Sequence, residues 1–136
     1  MADKAALYLL PGLLCDETVW RHQVDHLSAI AAVTVPDYRD CDAIPDMAAR
    51  VLEQAPSRFA VAGHSLGGRV ALEIVRAAPE RVTRLALLDT ATGPARDSEY
   101  EKSTGWVELA RTDQLRRFDG LLVPVGSGRR IETKWG

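Results

Sequence analysis

Histidine and cysteine, the side chains that most often hold metals or build covalent frameworks, are scarce in this chain. There are two cysteines in 136 residues, Cys15 and Cys41, and their separation fits neither a zinc site nor a Cys-x-x-Cys pair. Too few for a disulfide scaffold, they are expected to be reduced thiols in a cytoplasmic protein. Of the three histidines, His22, His26 and His64, none follows residue 64. His22 and His26 lie four apart but lack a third ligand, so they read as solvated helix residues and no metal or other cofactor is expected. Charge of one sign is missing too: 17 basic and 19 acidic residues leave a net charge of −2. With the two signs interspersed there is no electrostatic reason to expect nucleic acid or an anionic membrane as partner. No apolar run approaches the roughly 18 residues that a membrane span requires. The first such run is broken by Pro11-Gly12 without a small-residue cleavage pattern after it, and so reads as a strand rather than a signal. What remains is one ordinary soluble core, supplied by 46% apolar residues, and ligands that are small molecules or proteins.

What is present is an alternation. Ala5 to Leu10 is a continuous apolar run of the kind buried on both faces of a sheet. Asp16 is placed to cap a helix carrying Val19, Trp20, Val24 and Leu27 inward, with Arg21, Gln23 and Asp25 outward. Ala31 to Val35 reads as a second strand, and Met47, Val51 and Leu52 mark a second helix that Pro56 stops. Phe59 to Ala62 is a third strand. Leu66, Val70, Ile74 and Ala77 form the buried stripe of a third helix with Glu73 and Arg76 on its wet side, ended by Pro79, and Leu85 to Leu88 is a fourth strand closed by Asp89. Parallel neighbours need right-handed helical crossovers, so the pattern predicts a doubly wound α/β fold. With strand order 2-1-3-4, ligands bind where that order reverses, between the loops that begin at Pro11 and Gly63. Residues 1–95 are expected to form this core. Residues 96–125 read as a partial helical segment opened by a Ser98-x-x-Glu101 capping box, and 126–136 as a disordered polar tail.

The stretch Gly63-His64-Ser65-Leu66-Gly67 joins the third strand to the third helix with nothing between them. It matches G-x-S-x-G, in which a tight strand-to-helix turn holds a serine in a strained conformation with its hydroxyl above the sheet. Such a pinch brings the residues two before and two after the serine together, so side chains at Gly63 and Gly67 would clash, and Gly68 lets the helix approach the sheet. Ser65 also stands at a helix N-terminus, whose free N–H groups favour developing negative charge. The residues themselves therefore point to oxyanion chemistry. There is neither a G-x-G-x-x-G nor a P-loop lysine to suggest phosphate binding.

Through "LYLLPGLLCDETVW", "VPDYRD", "FAVAGHSLGGRVALEIVRAAPERV" and "RLALLDTAT", in that order, the chain resembles the α/β-hydrolase superfamily over about Ala5 to Thr92. Its first stretch is similar to that of the small serine carboxylesterases related to the pimeloyl-carrier-protein methyl ester esterases, with Pro11 where a histidine often precedes the glycine. The resemblance implies Ser65 as nucleophile, an oxyanion hole from the backbone N–H groups of Leu13 and Leu66, a carboxylic ester or acyl substrate, and an acyl-enzyme. For both leucines, pocket packing is a compatible second reading.

The resemblance also implies an acid and a histidine after the nucleophile, and no histidine is there. His64 adjoins Ser65, but its position in the elbow should point its side chain away from the hydroxyl. Asp89, at the end of the fourth strand, is a weak candidate acid that is otherwise a turn former. Relatives of this kind need about 250 residues for sheet, lid and triad, so the sequence is expected to be a truncated member, its fourth strand an open edge available for dimerisation. Three functions follow as alternatives: a serine ester hydrolase, a catalytically dead binding module for acyl or apolar molecules, and an acyltransferase using the same elbow.

Overall fold

A computed structural model describes residues 3–93. They fall within a compact unit, Met1–Pro94, while the remaining residues, Ala95–Gly136, lie outside the described part. The capping box at Ser98, the lid-like segment and the polar tail belong to those remaining residues.

The described chain runs β1 (Ala5–Leu10), a 3-10 turn (Glu17–Trp20) leading into α1 (Arg21–Leu27), β2 (Ala31–Thr34), α2 (Ile44–Gln54), β3 (Phe59–His64), α3 (Leu66–Ala77), a short 3-10 turn (Pro79–Arg81) and β4 (Val82–Leu88). All four strands are parallel, in the order β2-β1-β3-β4. The fold is α/β and doubly wound, as the alternation predicts.

Both faces of β1 are covered, which is why its sequence is apolar at every position rather than at every second one. Tyr8 and Leu10 belong to a cluster with Tyr38, Ala48, Val51, Phe59, Val61, Val70, Ala71 and Ile74, beneath α2 and α3. Leu9 joins Trp20 and Ala62 on the opposite face, where Leu7, Val19, Val24 and Val33 pack against them. The first cluster is the larger: Val51, Val70, Ala71 and Ile74 are fully buried, and burying side chains of this size contributes about 1.5–3 kcal/mol for each of the larger ones. The Tyr8 and Phe59 rings meet edge to face, 5.3 Å apart at 63°.

Several details differ from the sequence reading. Strand β3 continues through His64, two residues beyond Ala62, because Gly63 and His64 still pair with Leu87 and Leu88 of β4. Strand β4 begins at Val82, three residues before Leu85, its exposed polar positions having masked the start. Asp16 does cap, accepting from the Thr18 N–H at 2.8 Å, but the first turn after it is 3-10 rather than α. Ala77 is exposed, not part of the buried stripe; Gly67, Gly68 and Ala71 occupy the buried face instead. Gln23 is half-buried rather than solvated.

Helix α2 is closed by a residue far along the chain. Nη2 of Arg81 lies 3.0 Å from the Leu52 carbonyl oxygen, 2.8 Å from that of Ala55 and 2.9 Å from that of Pro56. Leu52 carries one of the carbonyls that a helix end leaves without an intrahelical partner, Ala55 is the cap, and Pro56 follows it. The same guanidinium stands 5.7 Å from the centroid of the Phe59 ring.

Candidate functional site

The site is built at the carboxyl ends of β1 and β3, the neighbours at which strand order reverses. Ser65 has φ 53° and ψ −117°, a combination that a side chain disfavours and glycine adopts readily. Its hydroxyl does not cap α3. Three backbone interactions hold it in that conformation. Its N–H donates to the Leu88 carbonyl at 3.0 Å, its carbonyl accepts from the Gly68 N–H at 3.0 Å, and the Thr90 hydroxyl donates to that same carbonyl at 2.6 Å.

The glycines answer to this geometry. A Cβ on Gly63 would overlap the Gly67 carbonyl, and one on Gly67 would overlap the carbonyls of Leu10 and Pro11. A methyl on Gly12 would stand 3.3 Å from the Ser65 Cβ and 3.2 Å from Nδ1 of His64, so the loop after β1 crosses close over the elbow. His64 Nδ1 is buried and has no hydrogen-bond partner among the described residues.

Leu66 opens α3, so its N–H has no acceptor within the helix. Leu13 and Leu66 both line one cavity of about 390 Å³ between the loop after β1 and the loop after β2, with Met47 of α2 in its wall. It lies to the β2 side of the crevice expected between the Pro11 and Gly63 loops, and Ser65 adjoins it through Leu66 rather than lining it. The loops after β1 and β2 are tied together by the buried Tyr38, whose hydroxyl donates to the Pro11 carbonyl at 2.6 Å. Burial pushes that phenol well above its ordinary value, with Cys15 adding to the effect, so it remains a donor throughout the working pH range. Asp89 lies apart from the cavity walls. It is exposed, with φ 46°, in the short stretch whose flanking residues, Leu88 and Thr90, grip Ser65. The two helix histidines, His22 and His26, are exposed on α1 with rings 4.1 Å apart. Among the described residues no group of three or more His, Cys, Asp or Glu is placed to hold a metal ion, and no helix is long and apolar enough to cross a membrane.

Two contributors escaped the sequence reading. Thr90 follows Asp89 in a turn where any small polar residue is ordinary, and nothing in its spacing announces a bond to a residue 25 positions earlier. Thr90→Val is expected to lower stability by about 1 kcal/mol, the ordinary net value of one hydrogen bond, and Thr90→Ser to retain most of it, as read from urea denaturation midpoints. Tyr38 sits in a turn-rich stretch that reads as a solvated loop, yet it is only 4% exposed.

The cavity rim is acidic. Asp16, Glu17 and Asp37 line it with a single guanidinium, Arg39, which Asp37 engages through two bonds, Nε at 3.0 Å and Nη2 at 2.8 Å. Those bonds from Arg39 hold the Asp37 carboxyl at about 2, below its usual 3.8. Because the folded value is depressed, the pair's contribution is present above the unfolded carboxyl's value and lost as pH falls towards 2. An NMR titration is expected to show Asp37 changing charge near pH 2, and Arg39→Gln to move that transition upward.

Comparison with known proteins agrees with this geometry. Residues 7–134 match the Alpha/beta hydrolase family. The chain is 36% identical to a pimeloyl-[acyl-carrier protein] methyl ester esterase of Nitrosomonas europaea, over 95% of this chain and 58% of the relative. It is 34% identical to the enzyme of the same name from Pectobacterium carotovorum, over 86% of this chain and 46% of that one. The chain thus spans about half the length of the curated relatives it matches. Among solved structures, a thermophilic esterase from Thermogutta terrifontis superposes with a TM-score of 0.75 at 20% identity, over 91% of this chain and 51% of that one. The parallel 2-1-3-4 sheet, the strained serine between β3 and α3 and these matches lead to one conclusion: the chain belongs to the α/β-hydrolase family.

Proposed function

We propose that this chain carries the nucleophile and oxyanion portion of a carboxylic ester hydrolase, with Ser65 as the attacking residue. The observation that carries the reading is the backbone of Ser65, φ 53° and ψ −117°, at the junction of β3 and α3. Strain of this kind costs about 1–3 kcal/mol and persists where the surroundings over-determine it. Here it sets a serine at the start of a helix whose first N–H is free to donate.

In the proposed reaction the Ser65 oxygen adds to the ester carbonyl carbon as its proton passes to water, and the carbonyl π pair moves onto oxygen. The resulting oxyanion is received by the N–H groups of Leu66 and Leu13. Collapse of the adduct breaks the bond to the leaving oxygen, which takes a proton from water and departs as the alcohol, and leaves an acyl-serine that water then cleaves. The cavity that Leu13 and Leu66 share is the proposed place for the acyl chain, an uncharged one, given the acidic rim. A base for the serine proton is not supplied by a histidine after Ser65, since the sequence holds none. Acylation supported by the oxyanion donors and binding alone is expected to run about 10³ faster than the reaction in water, well short of a complete triad.

The test is to incubate the chain with p-nitrophenyl butyrate, follow the intact mass and locate the adduct by peptide mapping. One butyryl group on the peptide containing Ser65, absent in Ser65→Ala, is the expected result. No adduct on that peptide, or the same adduct in the variant, overturns the proposal. Saturable protection of the cavity by an unreactive ester without any acyl-serine would favour the non-catalytic binding module.

A further inference from the structure

Both cysteines of the chain face the same cavity, and neither has a part in the ester chemistry above. Cys15 and Cys41 are partly exposed free thiols that line it from two separate loops. Each is set by a turn. The Cys15 N–H donates to the Gly12 carbonyl at 3.1 Å and its Sγ lies 3.5 Å from the Leu13 carbonyl oxygen, while the Cys41 N–H donates to the Tyr38 carbonyl at 3.0 Å. Since the Tyr38 hydroxyl is bonded to Pro11, next to Gly12, the two turns are fastened to each other and set both cysteines in the wall of one open cavity.

The walls select what reaches those thiols. Leu14, Val35, Pro36 and Met47 make much of the interior apolar. The rim holds three carboxylates against one guanidinium that is already paired, so an anion approaches against a net negative field while an uncharged apolar molecule does not. We propose that this cavity is a modification site for uncharged, apolar soft electrophiles, the class of conjugated carbonyl compounds that includes maleimides, enones and α,β-unsaturated esters, which Cys15 and Cys41 capture.

The capture is an addition. The thiol gives its proton to water, and the thiolate sulfur bonds to the β-carbon of the conjugated double bond. The π pair of that bond passes into the enolate, whose α-carbon then takes a proton from water. One S–C bond forms and one C=C π bond breaks, with no oxidant or reductant consumed. An adduct on Cys15, two residues from Leu13, would occupy the cavity that Leu13 and Leu66 share.

The experiment compares two reagents with one warhead, N-ethylmaleimide and the anionic 3-maleimidopropionate, on the full chain in native buffer and in 8 M urea, following the intact mass. With only two cysteines in the sequence, adduct number reads directly on the site. Two adducts are expected in native buffer, one in Cys15→Ser and one in Cys41→Ser. Relative to urea, the native chain should favour the uncharged reagent about fourfold more, the effect of two unit charges at about 10 Å through water. That preference should shrink in 0.5 M NaCl, and n-hexanol should slow both thiols by competing for the apolar space. A charge preference equal to that in urea, modification of one cysteine alone, or no slowing by hexanol overturns the proposal. Ser65→Ala should behave as the parent does, so failure of thiol capture and failure of acylation at Ser65 register separately.

Discussion

Gly67→Val is expected to destabilise the fold by about 3 kcal/mol or more. Inserting methylenes into a packed core usually costs about 1–3 kcal/mol because side chains shift to make room. At Gly67 the overlap is with main-chain carbonyls, those of Leu10 and Pro11, and a backbone anchored in the central strand β1 has nowhere to go. Relief would require α3 to lift from the sheet, opening the contacts of Val70, Ala71 and Ile74, all fully buried. Urea denaturation measures the effect directly. A midpoint within the error of the parent would mean that the helix and the strand have slack at their closest approach. Gly93, where an added Cβ meets nothing within 4 Å among the described residues, is the control: Gly93→Val should change little.

Ser65→Gly is expected to move stability and chemistry in opposite directions. Glycine occupies φ 53°, ψ −117° without the strain a side chain brings, which removes about 1–3 kcal/mol of cost. Against this stands the greater freedom glycine gains in the unfolded chain, about 0.5–1 kcal/mol. A net gain of about 1 kcal/mol in stability should follow, with the butyryl adduct at position 65 lost and consumption of p-nitrophenyl butyrate falling by about 10³, to the rate in water. Ser65→Ala should lose the acylation equally but gain none of the stability, because its Cβ keeps the strain. A glycine variant no more stable than the alanine variant would show that the serine conformation is cheap, and would remove the argument that the fold sustains it for chemistry.

How much of the fold and the site is legible in the sequence depends on how far each interaction reaches along the chain. Strand β1 is legible end to end, because both of its faces are covered and a strand so placed needs apolar residues throughout. The elbow is legible because part of its demand is local, Gly63 meeting the Gly67 carbonyl within five positions, whereas the reason for Gly67 itself, the carbonyls of Leu10 and Pro11, lies across the fold. Strand β4 is legible only in its second half, since exposed Thr83 and Arg84 carry no apolar signal for pairing with β3. Tyr38 and Thr90 are not legible at all. Their hydroxyls bond carbonyls 27 and 25 residues away, and a sequence displays neither partner as such. The cavity is invisible for the same reason, being made where the β1 and β2 loops lean together, and with it the convergence of two thiols that look unrelated when read 26 positions apart.

The reach of Arg81 across to α2 has its own consequence. The last turn of a helix is ordinarily the first part to fray, opening and closing many times while the rest of the molecule stays shut. Here the final carbonyls are clasped by a side chain rooted at the threshold of β4 and lying over a ring of β3. That terminus is therefore deprived of its independence: the end of α2 is bound to open only when the sheet itself gives way.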